Sequence, residues 1–222
     1  MPESVDSRHL LLIGAGPGVG ASVARRFGRE GFRSTLISRG ETLEKLAAEL
    51  RGDGLETEAV VADIEDLDGY RASLERIFGA PGAPGVVVYN AALPDPGEIL
   101  DTTVGRLRIA YDVDVLGAVV AAQVAVPVLR SAGSGTLLFT SGGFADHPMP
   151  AVASLSMGKA ALGGDPDRRR CPRGRHPCRD RHDRRLGRAW DAFDPDNIAE
   201  LFWTAHTDPI DAWQTEYRFT GA

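Results

Sequence analysis

A run of glycines, Gly14-Ala15-Gly16-Pro17-Gly18-Val19-Gly20, follows directly on the apolar stretch HLLLI and leads into a helix-forming segment. Glycines at this spacing permit a tight turn that lays bare backbone against a pyrophosphate. The helix behind them offers unpaired N–H groups and the positive end of its dipole to the same group. Gly14, Gly16, Gly18, Val19 and Gly20 therefore read as a dinucleotide-binding loop. A plain turn is the other reading, and the position between the first strand and the first helix favours the loop. The end of the second strand is the next informative place. A carboxylate there would hydrogen-bond a ribose 2′-hydroxyl and repel a 2′-phosphate. This chain has Ser38-Arg39-Gly40 and no acid. Arg39 can pair with a 2′-phosphate through charge-assisted hydrogen bonds, so NADP(H) is favoured over NAD(H). An exposed surface arginine is the alternative.

These residues need elements to hold them, and the chain supplies strand and helix patterns in alternation. HLLLIGAG, RSTLIS, TEAVVAD, GVVVYNAA and GTLLFTSGG read as strands, with helical stretches between them. That order predicts an α/β fold, a doubly wound parallel sheet covered on both faces. One long helix is expected over residues 103–132, and another from near Ala151 to at least Leu162. Asp194-Pro195-Asp196 reads as an N-cap with proline at the first helical position, opening NIAELFWTAHT. AWQTEYRFTG then reads as a last strand.

At 222 residues, one dinucleotide-binding domain over 1–222 is the expectation. The formal charge of −6 argues against a surface built for polyanions, so no nucleic-acid partner is expected. The N-terminus reads as neither a signal peptide nor an anchor. No stretch approaches the roughly 18 continuous apolar residues of a membrane helix, and a cytoplasmic protein with no membrane partner is expected.

Taken together, the landmarks resemble the short-chain dehydrogenase/reductase family, whose fold is Rossmann-like. The loop spacing Gly14-x-x-x-Gly18-x-Gly20 matches, with Ile13 where the family usually has Thr. Asp63 stands where the family's Asp meets the adenine, and Asn90-Ala91-Ala92 looks like its NNAG. GTLLFTSGG resembles the serine-bearing fifth strand, and Lys159 in SLSMGKAAL resembles the lysine of YxxxK. The resemblance covers residues 9–162 and, more loosely, 192–222. It implies an NADP(H)-dependent oxidoreductase acting on a small carbonyl or alcohol, working as a homodimer or homotetramer. It places Ser141 against the carbonyl, Lys159 on the nicotinamide ribose and Asp114 in the position of the Asn that orders a water. Asn90, Ala91, Asp63 and Ser38 join Arg39 and the glycines as cofactor-binding residues, and no metal site is assigned. Four residues before Lys159, however, stands Leu155, and no tyrosine occurs between Tyr111 and Tyr217. His147, Ser154 and Ser156 are the candidate substitutes, each with a solvent-facing polar role as its plainer reading. The alternative function is a non-catalytic NADP(H)-binding protein, a sensor or an oligomerisation partner.

Residues 163–191 break the pattern. They hold ten Arg and five Asp, a local charge of +5 against −11 for the rest, and no Val, Ile, Phe, Tyr or Met. In the family this interval supplies a helix end and a central sixth strand, and a central strand of Arg and Asp would bury unpaired charge. Zinc binding by Cys171, His176, Cys178 and His182 is one reading, although the spacing differs from the common paired ones. A polyanion-binding arm is a second. A compensated frameshift is the reading that explains most. Read one base along, Asp before Arg (GAY, CGN) becomes AYC, Ile or Thr, and the window permits an apolar strand before the frame resumes at AFDPDNIAE. As written, the window is expected to disrupt the sixth-strand region.

Overall fold

A computed structural model describes residues 5–162, 194–214 and 216–219. Five strands form one parallel sheet: β1 (Val5–Ile13), β2 (Arg33–Ser38), β3 (Thr57–Val61), β4 (Ala83–Tyr89) and β5 (Thr136–Phe139), in the order β3-β2-β1-β4-β5. The expected doubly wound α/β architecture is what the described residues adopt. From β1 the chain steps outward twice, through α1 (Val19–Gly28) to β2 and α2 (Thr42–Gly52) to β3. It then returns through α3 (Leu67–Phe78) to lay β4 on the other side of β1. This reversal opens a crevice at the carboxyl ends of β1 and β4, the place where open α/β sheets bind ligands. The register puts Ile13 level with Ile37 of β2 and Tyr89 of β4, so the three strands end together at the crevice.

Alternation along β1 divides the core between the two faces. Leu11 and Ile13 pack with Tyr70, Leu74 and, from α5 (Gly117–Ala132), Ala118, Ala121, Ala125 and Leu129. Leu10 and Leu12 pack with Val23 and Phe27 of α1, Leu43, Leu46 and Leu50 of α2, and Ala199 of α7 (Pro195–Thr207). β4 is buried along its whole length, as a strand covered on both faces must be. α7 opens as expected: Asp194 accepts from the Asp196 N–H at 2.8 Å, with Pro195 in the first turn. Its Trp203 and His206 sit against Phe27 and Phe32, ring centres 5.2–5.8 Å apart.

Two elements differ from expectation. The long helix is three pieces, α4 (Val104–Tyr111), a π-helical turn over Asp112–Leu116, and α5. The wider turn lets the Gly117 N–H reach the Asp112 carbonyl, while the Tyr89 hydroxyl donates to the Val113 carbonyl. Over Val104–Ala132 the hydropathy of 1.8 and the length of 29 residues would suffice to cross a membrane. Half of the apolar window is buried inside the domain, so it serves here as a core helix. The second difference is the tail, whose described residues from Ala212 to Phe219 carry no strand. Among the described residues only β4 pairs with β5, and none of the tail joins the sheet. It folds back on α7 instead: the Trp213 indole N–H donates to the Ala205 carbonyl at 3.1 Å, and the Tyr217 hydroxyl donates to Asp208 at 2.7 Å. The window 163–191, with its sixth-strand, frameshift and zinc readings, lies outside the described residues.

Candidate functional site

The glycine loop leaves β1 at Gly14, whose φ of +82° belongs to the left-handed region that glycine adopts freely. A Cβ there would lie 2.3 Å from the Ala91 N, so the loop presses against the end of β4 with no room for a side chain. Its N–H and that of Ala15 both donate to the Ile37 carbonyl of β2, at 2.8 and 3.0 Å. Beyond this turn Gly16 and Gly18 face open space: a Cβ on either would meet nothing within 4 Å. Gly18 is the N-cap of α1 and supplies no side-chain cap, which leaves the first-turn N–H groups around Val19 and Gly20 to whatever occupies that space. Gly20 itself is buried against Ala15. Bare backbone, free donors and a helix dipole together suit a pyrophosphate.

Asn90 ties the strand ends together. Its side-chain N–H donates to the Gly14 carbonyl at 3.1 Å, and its side-chain oxygen accepts from the Thr140 hydroxyl at 3.0 Å. One asparagine thus spans from the glycine loop across β4 to β5, with Ala91 buried beside it. At the outer end of the crevice Arg39 follows β2 and forms an ion pair with Glu65, a residue that the sequence did not single out. Asp63 fixes that carboxylate's position, because its Oδ1 accepts from the Glu65 N–H at 3.0 Å in an Asx turn. The Ser38 carbonyl accepts from the Ala62 N–H at 3.1 Å, which keeps the β2 and β3 ends adjacent. Arg39 remains more than half exposed, and an exposed pair of this kind exchanges partners at little cost.

Ser141, Lys159 and Asp114 converge at the end of β5. The Ser141 hydroxyl donates to the Lys159 carbonyl at 3.1 Å, and the Lys159 ammonium donates to the Thr140 carbonyl at 2.8 Å. Lys159 lies on α6 (Ala153–Leu162) and is 5% exposed. Burial holds its pKa below the usual lysine value, and the charge of Asp114 works in the other direction. Asp114 comes from the π-turn and is wholly buried. Its Oδ1 accepts from the Leu93 N–H at 2.7 Å, and its Oδ2 has no hydrogen-bond partner among the described residues. Burial pushes the carboxyl up to about 6, against the pull of the Leu93 N–H and of Lys159. α6 packs on this carboxyl at Gly158, where a Cβ would fall 2.5 Å from the Asp114 Cβ and 2.9 Å from Oδ2.

Ser156 and Ser154, two of the candidate substitutes for a tyrosine, have other surroundings. Leu155 is buried. The Ser156 hydroxyl donates to the Val152 carbonyl at 3.0 Å and accepts from the Met149 N–H at 3.1 Å, so it serves the start of its own helix. Ser154 borders a different space, a cavity of about 360 Å3 between α4 and α6 lined also by Leu107, Arg108, Tyr111 and Met157. His147 sits exposed on the turn after β5. Thr140, Leu93 and Glu65 are the working residues that sequence reasoning missed. Only Thr140 carried a signal, as a hydroxyl beside Ser141 at a strand end.

A sequence model of the family described as short chain dehydrogenase matches residues 8–164. Among curated proteins, Oxidoreductase UcpA of Salmonella typhimurium is 28% identical over 155 residues, 69% of this chain and 59% of that protein. Dehydrogenase/reductase SDR family member 4 of Sus scrofa is 26% identical over 164 residues, 73% of this chain and 59% of its own. The chain thus matches less than two thirds of the length of these relatives. Among solved structures it resembles a candidate NAD(P)-dependent gluconate 5-dehydrogenase from Beutenbergia cavernae with bound NADP at low occupancy. That likeness has a TM-score of 0.68 and 26% identity over 74% of this chain and 66% of that one. A metagenomic short-chain oxidoreductase in complex with NADP shares the fold over 97% of both chains, with a TM-score of 0.78 and 21% identity. With its glycine loop, switch-point crevice and β5–α6 residues in the family's order, this chain belongs to the short-chain dehydrogenase/reductase family.

Proposed function

We propose that the protein is an NADP(H)-dependent oxidoreductase acting on a small carbonyl or alcohol. The observation that carries this reading is the open backbone cradle of Gly16 and Gly18 at the N-terminus of α1, at the sheet's switch point. There the loop backbone holds the pyrophosphate, and Arg39 turns from Glu65 to the 2′-phosphate. Asn90 keeps the loop and the fifth strand in register, Asp63 lies beside the adenine, and Lys159 reaches the nicotinamide ribose. When bound, the cofactor supplies or accepts a hydride. Ser141 polarises the carbonyl once its hydroxyl leaves the Lys159 carbonyl. The similarity to NADP-bound relatives supports the cofactor's class, and the half-exposed strand-end arginine, held only by a surface ion pair to Glu65, supports the phosphate.

A second reading has its own observation. Leu155 is buried four residues before Lys159, so a non-catalytic NADP(H)-binding protein, a sensor or an oligomerisation partner, is the alternative. NADPH oxidation by the full chain over a panel of small aldehydes and ketones separates the two. Turnover supports the enzyme; NADPH binding without turnover, in both the parent and a Leu155→Tyr variant, supports the binding protein. The exposed apolar residues Val104, Tyr111 and Met157 border the α4–α6 face, and we read that face as the contact of a homodimer or homotetramer.

A further inference from the structure

The sheet face that packs on α3 is apolar toward its carboxyl end, where Leu11, Ile13 and Ile37 join the core. Toward the amino end the same face turns polar. Alternation and register put His9 and Arg33 side by side there, with Thr35 and Glu58 side by side one step along. His9 and Thr35 are 4% and 2% exposed, positions at which a strand serving only the core would carry apolar residues. These four side chains line a cavity of about 620 Å3, bounded on the α3 side by Arg76 and Ile77. It lies at the opposite ends of the strands from the dinucleotide crevice and takes no part in the proposed oxidoreductase chemistry. We infer that this cavity is a second binding site, for a small zwitterion of the free α-amino acid class, with Arg76 taking the carboxylate and Glu58 the ammonium.

Hydrogen bonds in the floor fix which groups face a ligand. The His9 Nδ1–H donates to the Gly82 carbonyl at 2.9 Å, so Nε2 is left as an acceptor and takes the Thr35 hydroxyl proton at 2.8 Å. Burial lowers the His9 pKa, which keeps the ring neutral and this arrangement in place at neutral pH. With its proton committed, Thr35 offers the cavity only lone pairs, an acceptor for a ligand N–H. The Arg33 guanidinium is already compensated: its Nε donates to Asp6 at 2.9 Å and its Nη2 to the Gly82 carbonyl.

What remains is one charge of each sign. Arg76 makes one long hydrogen bond, 3.4 Å to the Ser73 hydroxyl. Among the described residues neither Arg76 nor Glu58 has an ion-pair partner, although both line the same cavity. A ligand with a single charge would satisfy one of them and be repelled by the other. A carboxylate and an ammonium on one small molecule match both, the carboxylate through the paired N–H groups of the guanidinium, the ammonium through Glu58 and the Thr35 oxygen. The volume falls in the range of small-molecule sites, about 300–1,000 Å3, and Ile77 with Val60 gives an amino-acid side chain an apolar wall.

The test is NMR titration of the full chain, 15N-labelled at histidine, with each of the common α-amino acids, and with acetate, methylammonium and inorganic phosphate as probes carrying one kind of charge. Saturable shifts of the His9 ring signals are expected with at least one amino acid, at a dissociation constant of about 1 mM or below. The His9 signals separate this site from the dinucleotide cradle, since an anion held at Gly16 and Gly18 lies at the far ends of the strands. Arg76→Gln and Glu58→Gln, both at exposed side chains, should each weaken binding by about tenfold or more, with the far-UV circular dichroism spectrum unchanged. If no amino acid shifts His9 at up to about 10 mM, the proposal is overturned. Equal binding by the parent and both variants overturns it as well. So does a shift of His9 by acetate, methylammonium or phosphate at the affinity of the best amino acid, which would show a site for a single charge.

Discussion

A buried carboxylate oxygen with no donor costs free energy in every folded molecule, and Asp114 Oδ2 is such an atom. Its consequence for stability has a definite sign. The folded pKa of about 6 lies above the ordinary 3.8, so between these values the folded state holds the proton more tightly than the unfolded chain. The Asp114 contribution to stability is therefore full below about 4, falls as pH rises toward about 6, and stays lower above, by on the order of 3 kcal/mol. Asp114→Asn carries no such dependence. Urea denaturation should show the variant gaining on the parent by roughly 2–3 kcal/mol between pH 4 and pH 8, and an equal difference at both would contradict the assignment. Arg39 and Glu65 make a second residue-scale prediction. Glu65→Gln frees the guanidinium from its carboxylate, so NADPH affinity should rise by about three- to tenfold while NADH affinity stays level. Fluorescence titration with each dinucleotide checks it, and equal gains for both would place Arg39 away from the 2′-phosphate. Arg39 was legible as a strand-end residue. Its partner was not, because 26 residues separate the two and no local pattern links a turn after β3 to a turn after β2. The orphaned Oδ2 was equally invisible, since the resemblance located Asp114 but satisfaction of a single oxygen depends on how α6 and Leu93 close around it.

At the scale of elements, α7 is held by its aromatic face. Trp203 packs edge-on to Phe27, and the Arg26 guanidinium lies 4.5 Å from its ring centre. Trp203→Ala should cost roughly 2–4 kcal/mol of unfolding free energy. Trp213→Ala, which removes one hydrogen bond from a 42% exposed ring, should cost about 1 kcal/mol or less. Denaturant midpoints for the two variants test the contrast, and similar losses would show that the tail bears on the fold as strongly as the helix. Strand and helix alternation, the N-cap at Asp194 and the glycine turn were readable because each has a local cause: apolar period, capping oxygen, absent Cβ. The π-turn at Asp112–Leu116 was not. An extra residue in a turn shifts the apolar phase by about 100°, but VDVLGAVVAAQVAVPVL is apolar on nearly every side and hides the shift, and the Tyr89 hydroxyl that meets the Val113 carbonyl arrives from a distant strand. The tail is a complementary case, since AWQTEYRFTG has the composition of a strand, but its described residues spend their hydrogen bonds on the end of α7.

For the whole molecule, the order β3-β2-β1-β4-β5 determines where chemistry can happen, by ending β1 and β4 at one crevice. The alternation of strands and helices made that class of sheet legible. The exposed side chains of Tyr111 and Met157 flank the cavity between α4 and α6, the face proposed above as the contact between copies. Met157→Arg should shift the protein to monomer in light scattering, and an unchanged mass would remove that face from the assembly. At the crevice of β1 and β4, we propose, the Gly14 to Gly20 loop and Arg39 form a site for a 2′-phosphorylated dinucleotide. Calorimetric titration of the full chain with NADPH and with NADH tests it most directly. One site per chain is expected, with NADPH bound at least about tenfold more tightly than NADH, a preference lost in Arg39→Ala. Binding of neither dinucleotide, or tighter binding of NADH, would contradict it.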